Sequence, residues 1–227
     1  MSKKSELCIF CQERLATTRD HVPPKNLFPE PRPSNLITVP TCDTCNLRAS
    51  KDDEYFRLII VMRDDAHEHP VAKEAWETAY RGLKRSTKKG LAVKLLADIK
   101  RVDAYSERGK YLGERSIFKI DYPRVEAVLV KIVRGLFYSV TSRPLPEHYE
   151  VRIFVLEGFD DAFWKDEKLT KWVQIGIAQE PHIIGENIFS YRYVFSTDDR
   201  STSIWVMEFY GYYPVIAFAV PVPKKRA

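Results

Sequence analysis

The sequence contains no hydrophobic run that approaches the roughly 18 residues of a membrane-spanning helix. Its N-terminus, MSKKSELC, also lacks the apolar segment of a secretory signal peptide. We therefore expect a cytoplasmic protein that does not associate with membranes.

Its 227 residues and 44% hydrophobic content are enough for one large domain or two smaller ones with their own cores.

Cysteine is absent from the chain after residue 45. The four cysteines before that point form two Cys-x-x-Cys pairs, Cys8 with Cys11 and Cys42 with Cys45. A secreted protein stabilised by disulfides would more often distribute them through the fold. Two such pairs fit a closed tetrahedral zinc site with four thiolate ligands. A structural zinc ion in a reducing cytoplasm is the favoured interpretation, and coincidental redox-active or buried cysteines are the alternative.

Positive charge is in small excess overall, at net +5, but it is concentrated in one segment. Residues 81–115 carry a net charge of +7, whereas residues 53–80 carry −4. Clustered lysines and arginines suit a nucleic-acid phosphate backbone better than scattered ones. A solvated helix face followed by a loop explains the same charges without any partner.

Residues 1–52 are too few to build a core of their own, and a structural zinc ion would supply roughly 10–16 kcal/mol of the missing stability. The two cysteine pairs lie about 30 residues apart. This spacing is typical of a treble clef, with the first pair on a hairpin and the second at the start of a helix. The segment between them, VPPKNLFPEPRP, is too rich in proline for a helix or a central strand and is predicted to be a loop.

The remaining chain predicts an α+β fold. Helices are expected at 53–64, about 70–85 and about 89–103, followed by a polar boundary at 104–116 and an amphipathic helix over DYPRVEAVLVKIVRGLFYSV. The strand-like runs that follow indicate a mainly antiparallel sheet: VRIFVLEG, KWVQIGIAQ, NIFSYRYVFS, STSIWVMEFYG and YPVIAFAVPV. We predict three parts: a zinc-stapled module at 1–52, a helical basic segment at 53–115 and an α+β domain at 116–227.

Three polar residues near the cysteine pairs have the chemistry of phosphodiester hydrolysis. That reaction needs a base that activates water and a hard divalent cation that neutralises the phosphate and the leaving oxygen. His21 can accept a proton near neutral pH, and it follows Asp20 directly. Asp20 offers a carboxylate oxygen and Asn46 an amide oxygen, and Mg²⁺ prefers such ligands.

The order of these residues, with the Val-Pro-Pro that follows His21, resembles the HNH endonuclease family over about the first 52 residues. The resemblance implies a ββα-metal module of the treble-clef type. It also implies Asp20 and Asn46 as ligands of a catalytic Mg²⁺ or Mn²⁺, His21 as the general base, and Asn35 as the residue that orients the loop carrying the base. The sequence departs from the family in its proline-rich span after His21 and in Ala49, where many members have lysine.

Four basic residues near this motif are candidates for phosphate contacts, although exposed charges beside a loop are more often simply solvated: Arg19, Lys25, Arg48 and Lys51. The expected function is that of a metal-dependent endonuclease acting on DNA, with RNA not excluded. Family analogy suggests a role in restriction or phage defence.

Two alternatives remain open. The protein could be a non-catalytic zinc-finger module that binds nucleic acid through the segment of net charge +7. The C-terminal domain could instead carry the regulation, by sensing a ligand or partner protein or by forming a homodimer.

Overall fold

The computed structural model describes residues 6–83, 99–155 and 165–223 of the chain. Two short 3₁₀ helices lie at Lys25–Leu27 and Asp64–Glu68. The longer elements follow in this order: β1 (Thr18–His21), β2 (Thr38–Thr41), α1 (Asp43–Val61), α2 (Pro70–Leu83), β3 (Lys100–Tyr105), β4 (Tyr111–Ile117), α3 (Tyr122–Thr141), β5 (Tyr149–Val155), α4 (Glu167–Ile177), β6 (His182–Ile184), β7 (Phe189–Phe195), β8 (Ser203–Phe209) and β9 (Tyr213–Pro221).

The N-terminal part is a hairpin that leads directly into a helix. β1 and β2 pair antiparallel, with Asp20 opposite Val39 and His21 opposite Thr38. Cys42 has an extended backbone and is the N-cap of α1. The second cysteine pair therefore lies at the start of a helix, as predicted, and this helix begins ten residues before the start expected for the helix at 53–64. The proline-rich span between β1 and β2 is a loop, as predicted, apart from its short 3₁₀ helix.

The C-terminal part is an antiparallel sheet of five strands in the order β5-β9-β8-β7-β6. Four consecutive residues of the central strand β8, from 204 to 207, are buried because both faces of the sheet are covered. On one face Phe56 of α1 contacts Phe209, and Phe137 of α3 contacts Phe195. On the other face Val173 of α4 packs in a smaller apolar cluster. The prediction of mixed α and β structure with antiparallel sheets is confirmed.

A single large apolar cluster joins the two parts. It contains Val22 from the N-terminal loop, Phe56 from α1, Leu136 from α3 and Trp205 from β8, each essentially inaccessible to solvent. The predicted boundary at residue 52 lies inside α1. The division into three parts stays a prediction, and the N-terminal hairpin shares its core with the helices and sheet that follow.

The segment KWVQIGIAQ was predicted to be a strand, and this prediction is wrong because the segment lies largely within α4. The side chain of Asp166 caps the helix by accepting hydrogen bonds from the backbone N–H groups of Lys168 and Leu169. Val173 and Gly176 are buried against the sheet at helical spacing. The β-branched residues of this segment suit a strand, but the cap and the contact with the sheet determine its structure.

The prediction of a helix at about 89–103 is wrong in its described portion, and residues 84–98 lie outside the described residues. Lys100–Tyr105 forms β3, which pairs antiparallel with β4 and so converts the expected polar boundary into a hairpin. Gly109 in the turn has a φ of +76°, which favours glycine, and its N–H donates to the carbonyl oxygen of Ser106. Among the described helices, none combines the length and the apolar character needed to cross a membrane.

The turn between β7 and β8 is organised around the carboxylate of Asp199. Thr202 Oγ1 donates to this carboxylate at 2.6 Å, the backbone N–H of Ser201 donates at 2.9 Å, and the hydroxyl of Tyr149 donates as well. The hydrogen bonds from Thr202 and Tyr149 lower the pKa of Asp199 to about 2. The turn is thereby tied to the start of β5.

Asp199→Asn is expected to lower the melting temperature by a few degrees at pH 7, because the amide replaces a charged acceptor. Since the pKa in the folded state lies below the ordinary value, this stabilisation is complete above about pH 4 and is lost as the pH falls toward 2. Thermal unfolding should therefore show that the difference in melting temperature between wild type and Asp199→Asn becomes smaller from pH 4 to pH 2. The neighbouring Asp198→Asn is the control. An equal difference in melting temperature between wild type and Asp199→Asn at pH 2 and pH 7 would contradict the prediction.

Candidate metal centre and adjoining polar cluster

The four cysteines come together at one end of the β1–β2 hairpin, and none of them forms a disulfide. Their Sγ atoms all lie within 4.8 Å of one another, and those of Cys11 and Cys42 are 3.9 Å apart. A tetrahedral zinc ion with Zn–S bonds of about 2.3 Å places its sulfur ligands about 3.8 Å apart. The residues therefore fit such an ion, and the cluster could hold a metal ion such as zinc.

The backbone around the cluster positions the thiols. Leu7 and Leu15 form an isolated antiparallel bridge, and the chain between them turns through the first cysteine pair. Gln12 in this turn has a left-handed φ of 54°, and its side-chain amide donates to the carbonyl oxygen of Leu145 at 2.9 Å. The turn is therefore anchored to the loop that follows α3.

The electrostatics of the cluster favour thiolates that share a cation. Burial raises the pKa of the Cys8 thiol, but hydrogen bonds from the Cys11 backbone and the Thr41 hydroxyl outweigh it, so that the pKa is lowered. Burial is the largest cause that raises the pKa of Cys45 to about 12. The side-chain hydrogen bond with Cys42 and the charge of Cys8 act in the same direction. A bound cation would allow all four sulfurs to be thiolates at once.

Asp20 lies in a buried ion cluster, which we call the carboxylate cluster and define as Asp20, Asp53 and Lys131. The Nζ atom of Lys131 donates to both carboxylate oxygens of Asp53 at 2.7 Å and lies 3.2 Å from Asp20 Oδ2. All three side chains are at most 13% exposed. Asp20 Oδ2 has this ionic contact but no hydrogen-bond partner of good geometry.

Sequence reasoning missed two members of the carboxylate cluster. Burial raises the pKa of Asp53 to about 6, although the charge and hydrogen bonds of Lys131 act in the opposite direction. A signal for Lys131 did exist, since it lies directly before Ile132 on the face of α3 that also buries Val128. A lysine at such a position needs a buried partner. The sequence alone did not identify Asp53 as that partner.

Asn46 approaches the same face of β1 as Asp20. Its side-chain Nδ2 donates to Thr18 Oγ1 at 3.1 Å, and its own backbone N–H is bonded to the carbonyl of Cys42. Thr18 and Asp20 are two residues apart on one strand, so their side chains share a face. The structure thus directs Asn46 from α1 and Asp20 from β1 into the same region of the molecule.

His21 ends β1 and is half-buried. Its backbone N–H donates to Asp20 Oδ1 at 2.8 Å. Burial lowers the pKa of the imidazole, and the nearby charge of Lys25 lowers it further, against the opposite influence of Asp20. Because the ordinary value is 6.5, the ring is mainly neutral at pH 7 and can accept a proton. Strand alternation places this ring on the other face of β1 from the Asp20 carboxylate.

Asn35 lies near the end of the loop between β1 and β2, two residues before Ile37, whose carbonyl oxygen accepts a hydrogen bond from the backbone N–H of Val22. Asn35 is exposed, and its side chain donates to the carbonyl oxygen of Ile183 on β6 at 2.9 Å. The role implied by the family resemblance is therefore not visible in the described hydrogen bonds. The physical reason is that the proline-rich loop extends to the edge of the five-stranded sheet, where Asn35 binds the backbone.

The residues predicted to contact phosphate are all exposed: Arg19, Lys25, Arg48 and Lys51. The guanidinium of Arg19 donates to the hydroxyl and the carbonyl of Thr38 across the hairpin. Helical geometry places Arg48 and Lys51 about 200° and 140° around α1 from Asn46. These two side chains consequently lie on the side of α1 that faces away from Asn46.

Comparison with family models, curated proteins and solved structures found no match to this chain. The HNH resemblance therefore rests on the residues of the first 52 positions alone and stays a prediction.

Replacing Lys131 with methionine should destabilise the protein by about 3–5 kcal/mol, because two buried carboxylates would lose their counter-charge. Urea unfolding would measure the loss. Lys171→Met, on the exposed side of α4, is the matched control and should have little effect. Adding Asp53→Asn to the Lys131 variant should recover part of the stability. A Lys131 variant as stable as wild type would show that the cluster does not contribute to folding.

Gly135 of α3 lies against Val22, the residue after His21. A Cβ atom at position 135 would lie 2.5 Å from Val22 Cγ2 and 2.7 Å from Cγ1. Gly135→Ala is therefore expected to destabilise the protein by about 1–3 kcal/mol through overpacking, partly offset by the gain of about 1 kcal/mol in helix propensity. Urea unfolding again provides the measurement. The exposed Ser139→Ala on the same helix is the control, and a Gly135→Ala protein more stable than wild type would refute the steric argument.

Proposed function

We propose that the protein is a metal-dependent endonuclease of the HNH type that hydrolyses DNA phosphodiester bonds. The observation that supports it most is the convergence of an aspartate carboxylate and an asparagine amide on one face of β1. The residue that follows the aspartate in the chain is a histidine whose lowered pKa keeps it neutral. These are the groups that the reaction needs. In this proposal the N-terminal unit is a treble clef of the ββα-metal type.

The proposal gives the two kinds of metal site different roles. Zinc on Cys8, Cys11, Cys42 and Cys45 would be structural, because four thiolates leave no open coordination position for a substrate. Its contribution is to hold the turn around the first pair against the N-terminus of α1. Because Asn46 lies in the first turns of α1, its position relative to β1 depends on this contact between the turn and the helix N-terminus.

Mg²⁺ or Mn²⁺ would be held by Asp20 and Asn46. Asp20 Oδ2 is buried without a hydrogen bond of good geometry, and the Oδ1 atom of Asn46 is an amide oxygen, so both suit a hard cation. When bound, such a cation supplies positive charge to the phosphate and to the leaving oxygen.

His21 would remove the proton from the attacking water. Its neutral imidazole has a free nitrogen lone pair at pH 7. The backbone N–H of His21 donates to Asp20 Oδ1, so the backbone of the base is tied to the proposed metal ligand. Exposed lysines near the motif, such as Lys25, would contribute positive potential that attracts the phosphate backbone.

A second candidate function is a zinc-stabilised nucleic-acid-binding protein without catalysis. One observation favours it: the ammonium group of Lys131 already lies 3.2 Å from Asp20 Oδ2 and supplies that carboxylate with a positive charge. In this candidate the Asp20–Lys131 contact serves folding alone. Binding of nucleic acid would then depend on salt but would not lead to metal-dependent cleavage.

Cleavage of supercoiled plasmid with Mg²⁺ or Mn²⁺ should distinguish the two functions. Wild type is expected to nick or cut the plasmid, and His21→Ala is expected to be about 10²- to 10⁴-fold slower because the base is lost. His148→Ala, at an exposed position, is the matched control. Zinc content and folding of each protein should be measured on the same preparations.

Full activity in a folded, zinc-loaded His21→Ala protein would refute the assignment of the base. No cleavage by wild type under any of these conditions would favour the non-catalytic candidate.

A further inference from the structure

Arg57 of α1 is a cation without a counter-ion. It is half-buried, between Phe56 and Leu58, which are essentially inaccessible to solvent. Its guanidinium forms neither a hydrogen bond nor an ion pair with any residue in the described parts of the chain. The Nε atom is buried, whereas the two Nη atoms remain accessible to solvent. A partly desolvated cation of this kind is unfavourable unless an anion accepts its hydrogen bonds.

Asp53 lies one helical turn before Arg57 on the same face of α1, but its carboxylate is already paired. Both of its oxygen atoms accept hydrogen bonds from Lys131 Nζ at 2.7 Å. Its backbone carbonyl oxygen accepts a hydrogen bond from Asn26 Nδ2 at 3.0 Å. The side chain of Asn26, from the 3₁₀ helix at Lys25–Leu27, therefore contacts the turn of α1 that leads to Arg57.

Asn26 contributes a second polar atom without a partner, since its Oδ1 atom is buried and accepts no hydrogen bond. The next residue, Leu27, accepts a hydrogen bond at its carbonyl oxygen from the hydroxyl of Tyr210 at 2.6 Å. Burial raises the pKa of Tyr210, and the nearby charge of Arg57 opposes that shift. The guanidinium therefore lies close to the 3₁₀ helix, in what we call the Arg57 junction and define as Asn26, Leu27, Arg57 and Tyr210.

We propose that the Arg57 junction binds a phosphate group that carries a proton. Arg57 donates hydrogen bonds to the phosphate oxygen atoms, and Asn26 Oδ1 accepts one from the P–O–H group. The planar guanidinium matches the geometry of a phosphate and supplies the charge. This site is independent of the proposed nuclease function, because it involves none of the residues assigned to that reaction.

The unsatisfied acceptor of Asn26 selects among the possible ligands. An ionised carboxylate and a sulfate ion can only accept hydrogen bonds, and so can a phosphodiester of DNA. A water molecule would satisfy both polar atoms but would leave the guanidinium without a counter-ion. Inorganic phosphate retains an O–H group near neutral pH, and a phosphate monoester does so in its singly charged form. The two sources of the ligand are therefore free phosphate and the terminal phosphate of a nucleotide.

Phosphate and sulfate provide a matched pair of probes, because they have similar size and shape but differ in the O–H group. Each would be titrated by calorimetry into the zinc-loaded full chain at pH 7 and constant ionic strength. Wild type is expected to bind phosphate about tenfold more tightly than sulfate, the factor that corresponds to one hydrogen bond. Adenosine 5′-monophosphate is the third probe. Tighter binding of this nucleotide than of phosphate would identify a nucleotide as the source, and weaker binding would identify free phosphate.

Arg57→Gln removes the charge and is expected to weaken phosphate binding by about tenfold or more. Arg57→Lys retains the charge but lacks the planar fork, so it should bind with intermediate affinity. Asn26→Ala should lose the preference for phosphate over sulfate. Lys171→Gln removes one positive charge from the exposed side of α4, across the sheet from α1, and should bind phosphate like wild type. Thermal unfolding in chloride shows whether each variant is folded.

Equal phosphate affinity of wild type and a folded Arg57→Gln protein would overturn the proposal. So would the absence of binding of both phosphate and the nucleotide by folded wild type. Equal affinity of wild type for phosphate and sulfate would overturn the selection of a protonated phosphate by Asn26. None of these measurements involves cleavage of DNA, so their outcome is separate from the success or failure of the proposed function.

Discussion

The carboxylate cluster is the interaction on which the rest of the structure depends. A charge removed from water costs several kcal/mol unless partners of opposite charge are held close to it. Asp20 comes from the N-terminal hairpin, Asp53 from the first long helix and Lys131 from α3, and their charged atoms lie within 3.2 Å of the lysine. The shared lysine therefore constrains the relative positions of these three elements.

The cysteine cluster and the carboxylate cluster constrain the same hairpin from two sides. The thiols connect the turn around the first pair to the start of α1. The carboxylates connect β1 to α1 and α3. A metal ion on the thiols would stabilise only the first of these connections, whereas the second depends on the buried ion pairs and on apolar packing around Val22. Of the polar residues proposed to act on a phosphodiester, Asp20 belongs to the carboxylate cluster and Asn46 directly follows the last cysteine.

Local patterns in the sequence predicted much of the molecule. The regular apolar stripe of α3 and the runs rich in β-branched and aromatic residues at β7, β8 and β9 gave the right elements because both signals are strong over their length. The close approach of the cysteines followed from their spacing. Where a segment had the composition of a strand but a capping Asp166 before it, as in α4, the cap and the packing determined the structure instead.

Contacts between distant residues were beyond such patterns. Asp53 and Lys131 are 78 positions apart, and no periodicity relates an acidic residue on one helix to a lysine on another. The hydrogen bond of Asn35 is a further example, since its partner Ile183 is 148 positions away. The hairpin of β3 and β4 was missed because almost all of its side chains are exposed, and burial of an apolar face is the signal by which strands are ordinarily found.

The approach of α3 to the end of β1 has a consequence for the independence of the N-terminal unit. Lys131 and Gly135 are one helical turn apart, and they contact Asp20 and Val22 on either side of His21. This three-residue stretch thus has one charged and one steric contact with the same helix. The free energy of its local unfolding is therefore coupled to that of the C-terminal half. A fragment ending at residue 52 would keep the motif but lose the contacts that α3 makes with it.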